Sequence, residues 1–393
     1  MRSLRLRRLV VVSVAGLLLT LLNVPPALAQ PANDDFDSAA VIGALPFTDS
    51  ISTAEATTAD DDPFCNGNEH TVWYSFTPTQ NERIQADTSG SDYDTTLSVY
   101  TGSRGALSQV GCASFPAQVT LDVSANTTYF FMVASACCGG PGGTLVLNVR
   151  GPPANDEISG ATPLTLNTPV TQDTTLATSA PTDPTDCTFG PTHNTVWFSF
   201  TPTVSQPLNL DRSGSNYDGI LSVLTDLGSG PVLIACGFRF QAGVRFDATA
   251  GRTYFFMDAA SFEGGGQLRL TLSPGIVMTV AADQAGTVSR QGTAVVSGTL
   301  ACNPAAPPQG GAGSPTLDIV LRQKISKTLV IEGHKDLSIP CPTTPTAWSA
   351  TIIGDNGPFR KGQAEVFVTG FACDQVACDS PEVRQSIRLN WEK

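Results

Sequence analysis

Histidine is nearly absent from this chain, with three in 393 residues. A zinc protease needs two helix-borne histidines on one face, and no H-E-x-x-H occurs. No G-x-S-x-G elbow occurs either. A Ser-His-Asp triad would have to use His70, His193 or His334. The first two stand just before a strand-like Thr-Val-Trp run, and His334 sits in a turn context, so all three read as loop residues. Charged residues are only 15% of the chain, so long helices rich in Glu and Lys are not expected. Basic residues are scarcer still, 22 against 35 acidic ones. Such a surface repels phosphate backbones and anionic lipid, which excludes nucleic acid as a partner. Beyond the N-terminus no apolar run is long enough to span a bilayer, so no membrane insertion of the mature chain is expected.

The N-terminus has its own pattern. Arg2, Arg5, Arg7 and Arg8 are followed by an apolar run from Leu9 to Leu22, then by Pro25 and Pro26 and by Ala27-Leu28-Ala29. That order predicts a signal peptide over residues 1–29, cleaved after Ala29, with a retained anchor as the alternative. Cleavage leaves 364 residues, with 18 basic against 35 acidic groups and a net charge of −17. The length predicts two or three domains. With 36 Gly, 28 Pro and many Thr and Ser, it predicts short strands joined by tight turns. Ten cysteines behind a leader predict disulfides and a secreted, extracellular protein, here expected as a monomer.

An internal repeat sets the organisation. Pro31-Ala32-Asn33-Asp34 recurs as Pro153-Ala154-Asn155-Asp156. Thr71-Val72-Trp73-Tyr74-Ser75-Phe76-Thr77-Pro78 recurs as Thr195-Val196-Trp197-Phe198-Ser199-Phe200-Thr201-Pro202. Ser89-Gly90-Ser91-Asp92-Tyr93-Asp94 recurs as Ser213-Gly214-Ser215-Asn216-Tyr217-Asp218, and Thr128-Tyr129-Phe130-Phe131-Met132 as Thr253-Tyr254-Phe255-Phe256-Met257. The offset stays between 122 and 125 throughout. Residues 32–150 and 154–273 are therefore two copies of one domain, joined by a stiff Gly151-Pro152-Pro153 hinge. Alternation such as Leu97-Ser98-Val99-Tyr100 marks half-buried strands. The fold class predicted is all-β: two tandem antiparallel, jelly-roll-like β-sandwiches, then a third sandwich over 276–393.

The ordered set of N-D, T-V-W-[YF]-S-F-T-P, G-S-x-Y-D, a core cysteine, T-Y-F-F and a Gly-rich final hairpin resembles the bacterial pre-peptidase C-terminal domain. That is a β-sandwich appended to secreted peptidases, grouped with the collagen-binding domains of clostridial collagenases. The resemblance covers both copies. The third segment resembles a secreted immunoglobulin-like module through its strand pattern, Trp348 and cysteine placement. No peptidase accompanies these modules in this chain.

The resemblance also directs attention to the acidic residues. Calcium-binding members of the collagen-binding group use an N-D pair with aspartates on an early loop. Asn33 and Asp34 with Asp60, Asp61 and Asp62 match that arrangement, as do Asn155 and Asp156 with Asp183 and Asp186. Calcium, the one cofactor the sequence suggests, wants six to eight oxygen ligands. The acidic residues that the group carries just upstream of the pair are replaced here by alanine, proline or glycine. The alternative is that Asn and Asp cap turns in a solvated loop. Asp94 and Asp218 read as structural carboxylates satisfying backbone N–H groups, with substrate binding as the alternative, and Trp73 and Trp197 as core, with an exposed sugar platform as the alternative. Matching positions pair Cys65 with Cys112 and Cys187 with Cys236, leaving Cys302 with Cys341 and Cys373 with Cys378. Cys137 and Cys138 have no counterparts in copy two, and a vicinal disulfide, free thiols or metal ligation are open to them.

Two function classes follow. The first is a non-catalytic binding or adhesion array acting on extracellular protein or polysaccharide, where duplication raises avidity. The second is an accessory or inhibitor-like partner of a separate secreted hydrolase. Exposed aromatics would favour binding, and a buried carboxylate pair in a cleft would favour an enzyme. If calcium is held with a Kd near 10⁻⁴ M, millimolar calcium adds about 1.4 kcal/mol per site. Melts in calcium and in chelator should then differ by a few degrees, a difference lost on replacing Asp34 and Asp156 by alanine. Superimposable melts would leave these residues as caps.

Overall fold

The computed structural model describes residues 29–136, 140–187, 192–226, 230–238, 243–304 and 315–392. The expected leader up to residue 28, and Cys137 and Cys138, lie outside the described residues. Copy one contains β1 (Ala40–Ile42), β2 (Phe47–Ser52), β3 (Glu69–Phe76), β4 (Glu82–Asp87), β5 (Thr95–Ser103), β6 (Ala106–Ser114), β7 (Gln118–Val123), β8 (Tyr129–Ser135) and β9 (Thr144–Arg150). They form two sheets, β1-β3-β8-β5-β6 and β2-β9-β4-β7. The inner faces alternate as half-buried strands must. Val72, Tyr74, Leu97, Val99, Phe131 and Val133 of the first sheet meet Ile84, Ala86, Leu145, Leu147 and Val149 of the second, all fully buried.

Copy two repeats the plan. Its strands are β10 (Thr162–Pro163), β11 (Val170–Asp173), β12 (His193–Phe200), β13 (Gln206–Asp211), β14 (Gly219–Asp226), β15 (Pro231–Gly237), β16 (Gly243–Ala248), β17 (Tyr254–Ala260) and β18 (Gln267–Pro274). The sheet orders are β10-β12-β17-β14-β15 and β11-β18-β13-β16, the copy-one orders shifted by one module. The sandwiches are not wholly antiparallel, because β1 runs parallel to β3 and β10 to β12. Each of these short strands leads away to the opposite sheet instead of turning back in a hairpin, which is how a parallel neighbour arises.

The Trp strands hold more than alternation predicts. Val72, Tyr74 and Phe76 point into the sandwich, yet Trp73 is also fully buried. It lies on the outer face with Tyr100 and Met132, roofed by Phe36, Ala39, Leu107 and Phe130. The Phe36 ring stands edge-on to Trp73 with centroids 5.1 Å apart. Trp197, Leu224 and Met257 are roofed in copy two by Ile158 and Ala161. The central strands of the five-stranded sheet are thus buried on both faces, the outer one beneath the segment that precedes β1 or β10. The histidines also sit differently from expectation. His70 and His193 lie inside strands at register shifts, and His334 lies within a long strand paired with Asp355.

The third module contains β19 (Val277–Ala282), β20 (Ala285–Val288), β21 (Ala294–Asn303), β22 (Thr316–Lys324), β23 (Val330–Ser338), β24 (Thr346–Ile352), β25 (Gly362–Cys373), β26 (Cys378–Asp379) and β27 (Glu382–Trp391). β21 pairs with β19 and β24 on one side of the core, and β27-β25-β22-β23 form the other. β20 bridges the two, antiparallel to β21 and parallel to β27. A first strand split between two sheets suits an immunoglobulin-like sandwich. Trp348 packs over Gly298 and donates its indole N–H to the carbonyls of Ala281 and Thr299.

Among the described residues four disulfides are present: Cys65–Cys112, Cys187–Cys236, Cys302–Cys341 and Cys373–Cys378. The last closes the β25–β26 hairpin, whose Asp374 reaches copy two. Asp374 Oδ2 accepts from Asn209 Nδ2 at 2.6 Å and from the Ile276 N–H at 2.9 Å, and Oδ1 accepts from Val376 and Ala377. These donors hold the Asp374 carboxyl below its usual range against the opposing effect of burial. Cys65 and Cys112 are 47 residues apart. Replacing both by alanine should cost roughly 4 kcal/mol through the loop entropy released to the unfolded chain. A calorimetric melt should then show the first sandwich unfolding about 10–20 °C lower, with the other transitions in place.

Candidate functional site

The N-D pairs and the acidic loops are brought together in both copies, and protein donors fill them. Asn33 and Trp73 exchange two hydrogen bonds, Asn33 Nδ2 to the Trp73 carbonyl at 3.0 Å and the Trp73 N–H to the Asn33 carbonyl at 2.8 Å. Asp34 accepts from the N–H and hydroxyl of Thr57, both at 2.6 Å. Asp62 is buried and accepts from the Ala59 N–H, the Thr71 hydroxyl and the Trp73 indole N–H. Copy two repeats the network through Asn155 with Trp197, Asp156 with Thr178, and Asp183 with Ala180 and Thr195. There the buried Trp197 indole N–H lies near Asp183 without reaching hydrogen-bonding geometry.

Asp60 and Asp186 are exposed, and Asp61 turns instead to Arg104. Arg104 also pairs with Asp35 and Asp37, at 2.6 and 2.9 Å. Among the described residues no three His, Cys, Asp or Glu side chains group as a metal cluster. N–H and O–H donors face these carboxylates, as turn caps require, and a cation there would need further oxygens.

The network has a pH signature. Burial raises the Asp156 and Asp183 carboxyls, so their folded forms favour the proton and copy two loses stability as pH rises through those values. The Arg104 side chain holds Asp35 and Asp61 low, so that cluster loses its contribution only as pH falls below the ordinary carboxylate range.

His70 and its counterpart Asn194 occupy the bulge before each Trp, with φ of 53° and 49°. His70 Nδ1 lies 3.0 Å from the Ala56 carbonyl. Asn194 donates to the carbonyls of Thr174 and Ala177 and accepts from the Gly264 N–H. Both tie the bulge to the preceding loop. The backbone-satisfying carboxylate expected at Asp94 is two residues earlier. Asp92 Oδ1 accepts from the Thr144 N–H at 2.7 Å, and Asn216 does the same for Gln267. Glycine is required opposite them, since a Cβ on Gly143 would lie 2.3 Å from Asp92 Oδ1 and one on Gly266 2.4 Å from Asn216 Oδ1.

That end of copy one carries an open groove of about 1020 Å³ lined by Phe64, Asn66, Asp92, Tyr93, Asp94, Phe115 and the Gly-rich hairpin. A hollow of about 350 Å³ continues it past Thr88 and Thr95, sharing Asp92, Tyr93, Asp94 and Phe115. Phe64 is 70% exposed and Phe115 78%. Phe115 has φ of 30°, a conformation that a bulky residue adopts only under constraint. The loop bearing Phe64 is fixed on both sides, by Asp62 and by the Cys65–Cys112 bridge. Asn66 donates to Ser114 next to Phe115. Among the described residues no basic residue or histidine lines either hollow.

Copy two differs at the same end. Thr88, Thr95 and Val133 correspond to Arg212, Gly219 and Asp258. Arg212 Nε donates to the fully buried Asp258 at 2.8 Å, and its guanidinium lies 4.9 Å over the Tyr217 ring. Tyr217 also donates to Asp258. Gly219 is needed for space, since a Cβ there would lie 2.3 Å from Arg212 Nη2. Phe64 and Phe115 went unnoticed in the sequence because motif reading seeks what the copies share. The available signal was their divergence: through the cysteines Phe64 aligns with Asp186, and Asp92 aligns with Asn216.

No family model matches the chain, and no curated protein matches it. Solved structures give faint likenesses. A DUF4785 family protein from Legionella pneumophila is 11% identical, with 87% of this chain and 89% of that one covered and a TM-score of 0.22. The CUB1-EGF-CUB2 domains of rat MASP-1 are 10% identical over 57% of this chain and 97% of that one, at 0.16. The β-glucuronidase of Parabacteroides merdae is 9% identical at 0.17, with 48% of this chain and 28% of that one covered. At these scores none of them bears on what the chain does.

Replacing Asp62 by alanine strands three donors, and replacing Asp183 strands two. Denaturant unfolding should show a loss of about 3 kcal/mol for Asp62→Ala and about 1 kcal/mol less for Asp183→Ala. Equal losses would mean that the Trp73 indole bond contributes nothing.

Proposed function

We propose that the protein is a secreted, non-catalytic binding protein whose tandem sandwiches attach to extracellular protein or polysaccharide. Four disulfides suit an oxidising compartment. The N-terminal leader pattern supports export. The observation that carries the reading is the groove of copy one, with Phe64 and Phe115 both held in solvent beside it. Two large rings on rigid supports are the kind of surface that gains from being covered. Its carboxylates, Asp92 and Asp94, are exposed, and Asp92 already serves a backbone N–H. A general acid would instead call for a desolvated carboxyl.

The test is retention of the secreted protein on immobilised cell-wall glycan, chitin, cellulose, collagen and bulk secreted proteins. One of these should retain it, and the double variant Phe64→Ala/Phe115→Ala should bind roughly 30-fold or more weakly, since each ring contributes about 1–2 kcal/mol when covered. Turnover of any of these materials, or equal retention of the double variant, would overturn the reading.

A further inference from the structure

We infer that the copy-one groove takes an arginine-bearing segment of an extracellular protein, an inference that rests on the binding function proposed above and names its ligand class. The groove is charged in one sense only. Asp92 and Asp94 line it, and among the described residues no Lys, Arg or His does. The Asp92 carboxylate meets a single backbone N–H, and among the described residues the Asp94 carboxylate meets no hydrogen-bond or ion-pair partner, only its backbone carbonyl accepting from Ala136. The whole chain carries 35 acidic against 22 basic residues, so the surrounding field reinforces the groove. A neutral glycan would leave that charge uncompensated, and an acidic one would be repelled.

The aromatic rim selects among cations. Phe64 and Phe115 have no polar handle, so what they offer is an apolar face with a negative quadrupole. A guanidinium is planar, weakly hydrated and forked. It can stack on such a ring while its N–H groups reach a carboxylate, which a compact ammonium does less well.

The second copy holds the same chemistry internally. There Arg212 lies over the Tyr217 ring and donates to Asp258. Copy one keeps the ring as Tyr93 but has Thr88 where the arginine would be. Its hollow stays open, with Asp92 and Asp94 at its side. One copy supplies its own guanidinium, and the other receives one from a partner.

The probes are a blocked peptide, Gly-Ser-Arg-Gly-Ser-Arg-Gly-Ser, its lysine and citrulline counterparts, and chitohexaose, titrated calorimetrically into the full secreted chain. The arginine peptide should bind in the micromolar range, the lysine peptide several-fold more weakly and the citrulline peptide at least about 30-fold more weakly. Raising salt from about 50 to about 300 mM should weaken the arginine peptide severalfold. Asp94→Asn and Phe115→Ala should each cost about tenfold or more while leaving the melting temperature in place. Phe238→Ala in copy two should change nothing.

Citrulline binding as well as arginine, or no arginine binding at millimolar peptide, overturns the inference. Chitohexaose binding at the groove in place of the peptide also overturns it, yet leaves the binding function standing. Failure of both readings looks different: every probe is silent, and the Phe64→Ala/Phe115→Ala variant matches the unaltered protein on all immobilised materials.

Discussion

Each of the two sandwiches is closed by one indole ring. Trp73 and Trp197 lie on the outer face of a five-stranded sheet, where a large apolar side chain would otherwise meet water. The segment before the first strand covers each of them, held by paired backbone and amide bonds from Asn33 or Asn155. In copy one the indole N–H reaches Asp62, and Asp62 also collects the Thr71 hydroxyl and the Ala59 N–H. That carboxylate fixes the loop that carries Phe64 and Cys65 two and three residues further on. The placement of an exposed phenylalanine is therefore set by how a tryptophan on the far side of the loop is buried. Unsatisfied donors around a buried indole are costly, so the loop is specified by hydrogen bonding as well as by the disulfide.

Duplication left the scaffold alone and changed one end. The strand orders, the indole clips, the core disulfides and the close-approach glycines Gly143 and Gly266 are common to both copies. Three positions changed together: a guanidinium, a carboxylate and the missing side chain that makes room for them. A buried ion pair needs its remaining donors satisfied to repay desolvation, and Arg212 Nη2 has no hydrogen-bond partner. Burial also pushes the Asp258 carboxyl up, against the pull of Arg212 and Tyr217. Such an arrangement fixes Arg212, Tyr217 and Asp258 to one another more than it stabilises the module.

Much of the architecture was legible in the sequence, because repeats and alternation are local. The matched Thr-Val-Trp strands placed both sandwiches, and equivalent cysteine positions gave the disulfide pairs that the structure contains. The roles of the acidic residues were not legible. Oxygen-rich side chains at Asn33, Asp34 and Asp62 fit a cation and a turn cap equally well, and only the direction of the neighbouring N–H and O–H groups separates the two. Asp94 was assigned the backbone role that Asp92 performs, because a turn's register depends on the hairpin at Gly143, fifty residues away. Phe64 and Phe115 are ordinary in sequence. Their exposure arises from a clipped loop and a constrained backbone, and no short-range pattern carries either.

Asp374 ties the third module to the second with one carboxylate. The same side chain accepts from the Asn209 amide, from the Ile276 N–H at the module boundary and from two N–H groups of its own hairpin. A protein that attaches through its first sandwich is loaded from its other end. Tension entering at the last strand would run through β25 and its short, bridged hairpin into that carboxylate before reaching the second sandwich. The Gly151-Pro152-Pro153 joint is crossed by a looser contact, the half-exposed Arg150–Asp173 ion pair at 4.0 Å. Under load that solvent-screened pair would yield before the four-donor carboxylate does, so the first joint would give ahead of the second.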